Sequence, residues 1–154
     1  MLELRTEIEI DAPVERVWAV LIDFERFPDW NPFIRRIHGN AQVGSRLDVL
    51  LGASGTRPMR FRPTVKAVVP NRELRWLGRL GLPRLFDGEH IFQIEPLGPI
   101  RSRFVQRERF RGLLVPLLAR SLSRDARRGF EEMNRALRER VAVSAERRPA
   151  AGKA

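Results

Sequence analysis

Hydrophobic residues recur along this chain with two different periods, and the change of period divides it. Residues 2–10 alternate strictly: Leu2, Leu4, Ile8 and Ile10 face one way, Glu3, Arg5, Glu7 and Glu9 the other. That is the pattern of a half-buried strand. Asp11-Ala12-Pro13 predicts a helix start, with Asp11 or its neighbour near the cap and Pro13 in the first turn. Val14, Val17, Trp18 and Leu21 share one face of that helix. Asp23 to Phe27 predicts a second short helix, stopped by Pro28 and Pro32. From Phe33 the period is two, and strands are expected near 33–38, 45–52, 57–69, 72–80, 85–95 and 100–110. Turn-forming pairs such as Gly39-Asn40 and Pro70-Asn71 separate them, and connections this short make neighbouring strands antiparallel. Pro63 inside the longest run predicts a bulge or an edge.

The last third switches to helical spacing. Leu114, Leu118, Leu122, Ala126, Phe130, Met133, Leu137 and Val141 fall on one stripe of a helix over Leu113–Val141,. At ~1.5 Å per residue it is about 40 Å long and needs an apolar surface of matching length. The strands supply one, so the expected object is a sheet gripping a helix. Residues 144–154 are small and polar, with a proline, and are expected to form a disordered tail after a single domain spanning 1–143.

Parity along the strands sorts the side chains into two faces. A turn at Pro70-Asn71 pairs Ala67 with Leu74 and Val65 with Trp76. A loop at Gly81–Leu85 pairs Leu80 with Phe86 and Trp76 with His90. A tight loop at Leu97–Pro99 pairs Phe92 with Phe104 and His90 with Gln106. One face then collects Phe61, Val65, Leu74, Trp76, His90, Phe92, Ile94, Phe104, Gln106, Glu108 and Phe110. The other collects arginines and glutamates, with Glu89 across from Arg107. A one-residue slip would exchange the faces, so their separation supports this parity.

The order strand, helix pair, six antiparallel strands and long terminal helix resembles the helix-grip fold of START and Bet v 1-like proteins. Ile10-Asp11-Ala12-Pro13-Val14-Glu15-Arg16-Val17-Trp18, followed by Phe27-Pro28-Asp29-Trp30-Asn31-Pro32, resembles the opening of the bacterial polyketide cyclase/dehydrase-like branch (SRPBCC superfamily). Asp87-Gly88-Glu89-His90-Ile91-Phe92 and Glu108-Arg109-Phe110-Arg111-Gly112-Leu113-Leu114 are similar to its later motifs. The resemblance covers about residues 2–143. It implies an α+β fold: a seven-stranded curved antiparallel sheet around the C-terminal helix, two short helices after the first strand, and a hydrophobic ligand cavity between sheet and helix. Members bind lipids, polyketides, quinones or hormones, and only some are enzymes.

Composition narrows the chemistry. With 43% hydrophobic residues the chain buries a full core, and no apolar run approaches the ~18 residues of a membrane span,. The opening residues lack the layout of a signal peptide. There is no cysteine, which removes disulfides and thiolate chemistry and fits a cytoplasmic location,. Two histidines without ligand spacing meet no metal-site template, and no phosphate loop or serine elbow occurs, so neither metal nor cofactor is expected,. The net charge of +10 sits almost wholly after residue 100. The arginines of the last helix lack interleaved aromatics, and Glu131 and Glu132 are spaced to pair with Arg135 and Arg128. Nucleic acid is therefore not an expected partner, and a solvated helix face is.

The chemistry-bearing residues of the inner face are His90, Gln106 and Glu108. Glu108 is expected diagonal to His90, ~7–8 Å away between backbones. Burial raises a carboxyl's pKa and a carboxylate neighbour raises an imidazole's. Such a pair suits proton transfer in an aldol-type cyclisation or dehydration, with His90 and Glu108 as catalytic candidates. The other reading is that the three bond to one another and only orient a ligand. Phe61, Val65, Trp76, His90, Phe92, Phe104, Gln106, Glu108, Phe110, Phe130 and Met133 are the expected ligand-binding residues, with Trp30, Leu82, Leu114 and Leu118 at the cavity mouth. Two greasy segments, Leu80–Phe86 and Leu113–Leu118, with Arg84, Arg111 and Arg120, either pack on each other or touch a membrane or second protomer. Binding or carriage of a small hydrophobic molecule is the first functional reading, by a monomer or homodimer. A cofactor-free cyclase or dehydratase is the second, and a protein docking through its arginine-rich helix the third.

Overall fold

A computed structural model describes residues 1–147. In chain order the elements are β1 (Leu2–Ile10), α1 (Val14–Ile22), a 3-10 turn (Phe24–Arg26), α2 (Phe27–Trp30), β2 (Ile34–His38), β3 (Asp48–Leu51), β4 (Met59–Phe61), β5 (Thr64–Val69), β6 (Glu73–Arg79), β7 (Asp87–Gly98), β8 (Arg101–Arg111) and α3 (Val115–Glu146). The class is α+β, with antiparallel strands and a long C-terminal helix.

The expected single sheet of seven strands is instead eight strands in two sheets, ordered β1-β8-β7-β6-β5 and β2-β3-β4. Pro63 is the cause. Lacking an N–H, it breaks the run over 57–69 into β4 and β5. The two sheets stay stitched there. Leu47 N–H donates to the Pro63 carbonyl at 2.9 Å, and Arg46 bridges Thr64.

Other local details differ from expectation. Pro28 lies at the first helical positions of α2 and starts it rather than stopping the preceding turn,. Asn31 ends α2 and caps the entry to β2, its Oδ1 accepting from Phe33 N–H (3.0 Å) and Ile34 N–H (2.9 Å). Pro13 occupies the N-cap of α1, so Asp11 does not cap it. Helix α3 runs to Glu146, past the expected boundary at 143. Ser144 there bonds back to the Val141 carbonyl at 2.8 Å and continues the helix instead of leaving it. The rest of the expected tail, 148–154, lies outside the described residues.

Phe130, Met133, Leu137 and Val141 of α3 are fully buried against the five-stranded sheet and α1. Helix and loop come close at Gly129, where an added Cβ would lie 2.1 Å from the Phe33 ring. Arg128 and Glu132, one turn apart, bind the Ser54 carbonyl and N–H. The β3–β4 loop is thereby pinned to α3.

Candidate functional site

Three adjacent strands build the site. Trp76 of β6, His90 of β7 and Glu108 of β8 stand in one cross-strand row. The next row is Leu74, Phe92 and Gln106, and the next on the other side is Gly78, Gly88 and Phe110. These rows correct the expected β7–β8 register by two residues. Phe92 faces Gln106 rather than Phe104, and Glu89 faces Arg109 rather than Arg107. The turn at residues 98–101 and a bulge between Pro96 and Gly98 produce the shift. A second bulge, between Val65 and Ala67, pairs Ala67 with Arg75 instead of Leu74. A two-residue shift keeps every side chain on its face, so the inner set survives.

The correction brings Glu108 directly opposite His90. Its Oε2 lies 3.2 Å from His90 Nδ1, and His90 Nε2 lies 3.0 Å from Gln106 Oε1. Gln106 Nε2 donates to the Phe130 carbonyl (3.2 Å) and to Asn134 Oδ1 (2.8 Å). Asn134 Nδ2 donates in turn to Thr6 Oγ1 at 3.2 Å. Because the Phe130 carbonyl only accepts, the amide of Gln106 must turn its nitrogen that way and its oxygen toward His90. Nε2 of His90 then carries the proton, and its Nδ1 presents a lone pair to Glu108. The carboxyl completes the chain by donating an O–H.

Electrostatics favour the same protonation states. Burial pushes Glu108 up to about 8, helped by the nearby Glu89 charge. Burial pushes His90 down to about 3, against the opposing effect of the hydrogen bond it donates to Gln106. Both groups are neutral at pH 7. The expectation that the carboxylate would raise the histidine is thus reversed, because desolvation of the ring outweighs a partner that is itself uncharged.

Glu108 also faces a cavity of ≈ 90 Å³ between the two sheets, lined by Leu51, Met59, Phe61, Gly78, Arg79, Leu80, Phe86, Gly88, Glu108 and Phe110. Two glycines make the room. A Cβ on Gly88 would lie 2.7 Å from Glu108 Oε1, and one on Gly78 would lie 2.6 Å from the Phe61 ring. The walls are apolar apart from Glu108 and the Arg79 rim. The volume is below the roughly 150 Å³ of an engineered cavity that holds benzene, so it takes the end of a molecule rather than a whole lipid.

Of the expected ligand-binding residues, Phe61, Glu108 and Phe110 line this cavity. Val65, Trp76, Phe92, Phe104, Gln106, Phe130 and Met133 lie in the packed core, and His90 sits just behind Glu108. Their rings pack on one another beneath α3. His90 stacks on Phe92 at 4.0 Å, Trp76 meets Phe92 edge-on at 4.8 Å, and Phe130 lies 4.8 Å from His90. The expected mouth residues are elsewhere too. Trp30 packs on Phe27 at 5.1 Å beside Arg140, whereas Leu82 and Leu118 are exposed and Leu114 is half-buried on the core. Leu51, Met59, Gly78, Phe86 and Gly88 were not among the expected ligand-binding residues, nor were Asn134 and Thr6. Glycines inside β6 and β7 were the available signal, since a strand glycine often marks a close approach. Among the described residues no cluster of His, Asp and Glu could hold a metal ion. No helix among them is long and apolar enough to cross a membrane.

Comparisons with known proteins agree with this architecture. The family described as "Polyketide cyclase / dehydrase and lipid transport" matches residues 1–142. A START superfamily protein from Mycobacterium smegmatis is 24% identical, with TM-score 0.72, covering 92% of this chain and 98% of that one. The Zhui aromatase/cyclase from Streptomyces is 17% identical, with TM-score 0.76 and 99% of each chain covered. Norcoclaurine synthase from Thalictrum flavum, in complex with dopamine and hydroxybenzaldehyde, is 13% identical, with TM-score 0.68, covering 97% of this chain and 89% of that one. At these identities the likeness is one of fold. No curated protein matches the sequence.

Proposed function

The chain belongs to the polyketide cyclase/dehydrase and lipid transport family, and we propose that within it this protein binds one end of a small hydrophobic molecule in the cavity between its two sheets. The observation that carries this reading is Glu108, a neutral carboxylic acid set in an apolar pocket and held from behind by His90. Burying apolar ligand surface drives binding at ~25 cal/mol per Å². With its O–H given to His90, the carboxyl presents its other oxygen, Oε1, to the cavity as an acceptor, and so selects molecules that bring a hydroxyl to that point,. Action as a monomer or homodimer in the cytoplasm accompanies the proposal.

The test is titration with an apolar fluorescent probe such as Nile red, together with native mass spectrometry of protein taken from its own host. Saturable probe binding that Leu51→Trp abolishes by filling the cavity supports the reading. Binding unaffected by Leu51→Trp, with no small molecule co-purifying, contradicts it.

A second reading is favoured by the contact between Glu108 and the His90 lone pair. A carboxyl that passes its proton to a ligand carbonyl, instead of to Nδ1, acts as a general acid in cyclisation or dehydration of a polyketone. On that reading Glu108→Gln keeps probe binding and lowers turnover of a polyketone substrate by ~10²–10⁴-fold. Unchanged turnover rules it out.

A further inference from the structure

We propose that the end of the molecule formed by the β6–β7 loop and the first turns of α3 is a docking surface for an anionic lipid bilayer. Leu82, Leu113 and Leu117 are 74%, 82% and 84% exposed, with Leu80 and Leu118 partly so. Leucines at that exposure, grouped in one place, mark an interaction site rather than scattered surface residues. They form one surface because the two segments are tied by their backbones. Leu113 N–H donates to the Arg84 carbonyl and Leu114 N–H to the Leu85 carbonyl, both at 3.1 Å. Gly112 permits this approach: its φ is 130°, and a Cβ there would lie 2.4 Å from the Leu85 oxygen. Arg84 adopts the left-handed region at φ 67°, where a non-glycine residue is strained,.

Charge identifies the occupant. Segments 80–86 and 111–124 contain Arg84, Arg111, Arg120 and Arg124 and no acidic residue. On α3, Leu117, Arg120 and Arg124 fall on one face, with Arg124 about 10 Å behind Leu117 along the axis. Leucine at the tip with arginine behind it matches an acyl boundary covered by anionic headgroups. The other side of the same loop, at Gly81 and Pro83, forms a groove with Arg46, Arg62, Thr64, Lys66 and Arg79. Among the described residues, Arg46 and Lys66 have no carboxylate within 4.0 Å, so the groove can seat a headgroup phosphate. A second copy of this chain fits less well, since a two-fold contact would set these arginines against one another. Nucleic acid would leave the leucines unburied. The inference stands without the ligand-binding reading. If both hold, the cavity, whose lining includes Leu80 and Met59, receives its ligand from the membrane side.

The experiment is co-sedimentation of the full chain with vesicles of phosphatidylcholine alone and of phosphatidylcholine with about one-third phosphatidylglycerol, at low and high salt. The anionic vesicles are expected to bind at least about tenfold more strongly, with the difference falling as salt rises. Leu82→Glu with Leu117→Glu should abolish binding while helical circular dichroism and Nile red affinity in solution stay unchanged. Arg46→Glu with Lys66→Glu should remove the preference for phosphatidylglycerol. Leu51→Trp should lose Nile red but keep vesicle binding, so failure of the cavity and failure of the surface are separable. Binding to neither vesicle, binding insensitive to Leu82→Glu/Leu117→Glu, or binding only to an acidic polypeptide such as polyglutamate overturns the proposal.

Discussion

The two ends of α3 share one hydrophobic period and have opposite surroundings. From Gly129 to Val141 the stripe is fully buried on the five-stranded sheet, and its Phe130 carbonyl and Asn134 amide close the polar chain from Glu108. At the other end Val115 is still buried, but in the same first turns Leu117 is 84% exposed and Leu118 partly so. Periodicity states which face of a helix is apolar. It does not state what covers that face. The packed end determines stability and fixes the protonation of the site, and the bare end is available to a partner.

Substitutions at the two ends sharpen the contrast. Phe130→Ala opens a cavity in the buried core and should cost about 3–5 kcal/mol in urea unfolding,. A cost below about 1 kcal/mol would mean the ring is not packed as described. Gln106→Leu strands His90 Nε2–H and Asn134 and should cost about 1–3 kcal/mol.

The polar chain also makes stability depend on pH, and the signs of the two groups differ. Glu108 is raised from 4.5 to about 8 on folding, so the folded state holds an extra proton between those values and stability falls as pH rises through them,. His90 is lowered from 6.5 to about 3, so its contribution is present above 6.5 and lost as pH falls toward 3,. The two slopes oppose one another between 4.5 and 6.5 and leave a plateau there. Above pH 6.5 only Glu108 acts, at up to about 1.4 kcal/mol per pH unit. Glu108→Gln should flatten that alkaline limb, and thermal melts from pH 6 to 9 would show it. At the bare end, Leu117→Ala should change stability by less than about 0.5 kcal/mol. A larger loss would mean that the first turns of α3 pack on the protein after all.

Much of this architecture was legible in the chain. Alternation in residues 2–10 and 72–110, and the stripe from Phe130 to Val141, read directly as buried faces because water and core sort side chains at those periods. Strand partners were less legible. Parity put His90, Gln106 and Glu108 on one face, but the register of β7 on β8 depends on the turn at residues 98–101, where several hairpins fit the same sequence. The cavity was misplaced for a related reason. Phe92, Phe104 and Phe130 are as apolar as any ligand pocket, and only the structure shows them buried and packed in the core. The cavity beside Glu108 depends on residues without side chains, Gly78 and Gly88, and on Phe61 of β4 lying over Gly78.

The most direct test of the account is the titration of Glu108 itself, followed by NMR of its carboxyl carbon in the folded protein. A single inflection near pH 8 is expected, with the group protonated at neutral pH. His90 should stay neutral, with its proton on Nε2, across the same range. An inflection in the ordinary carboxylate range, with an imidazolium beside it, would contradict the neutral acid on which the site is built.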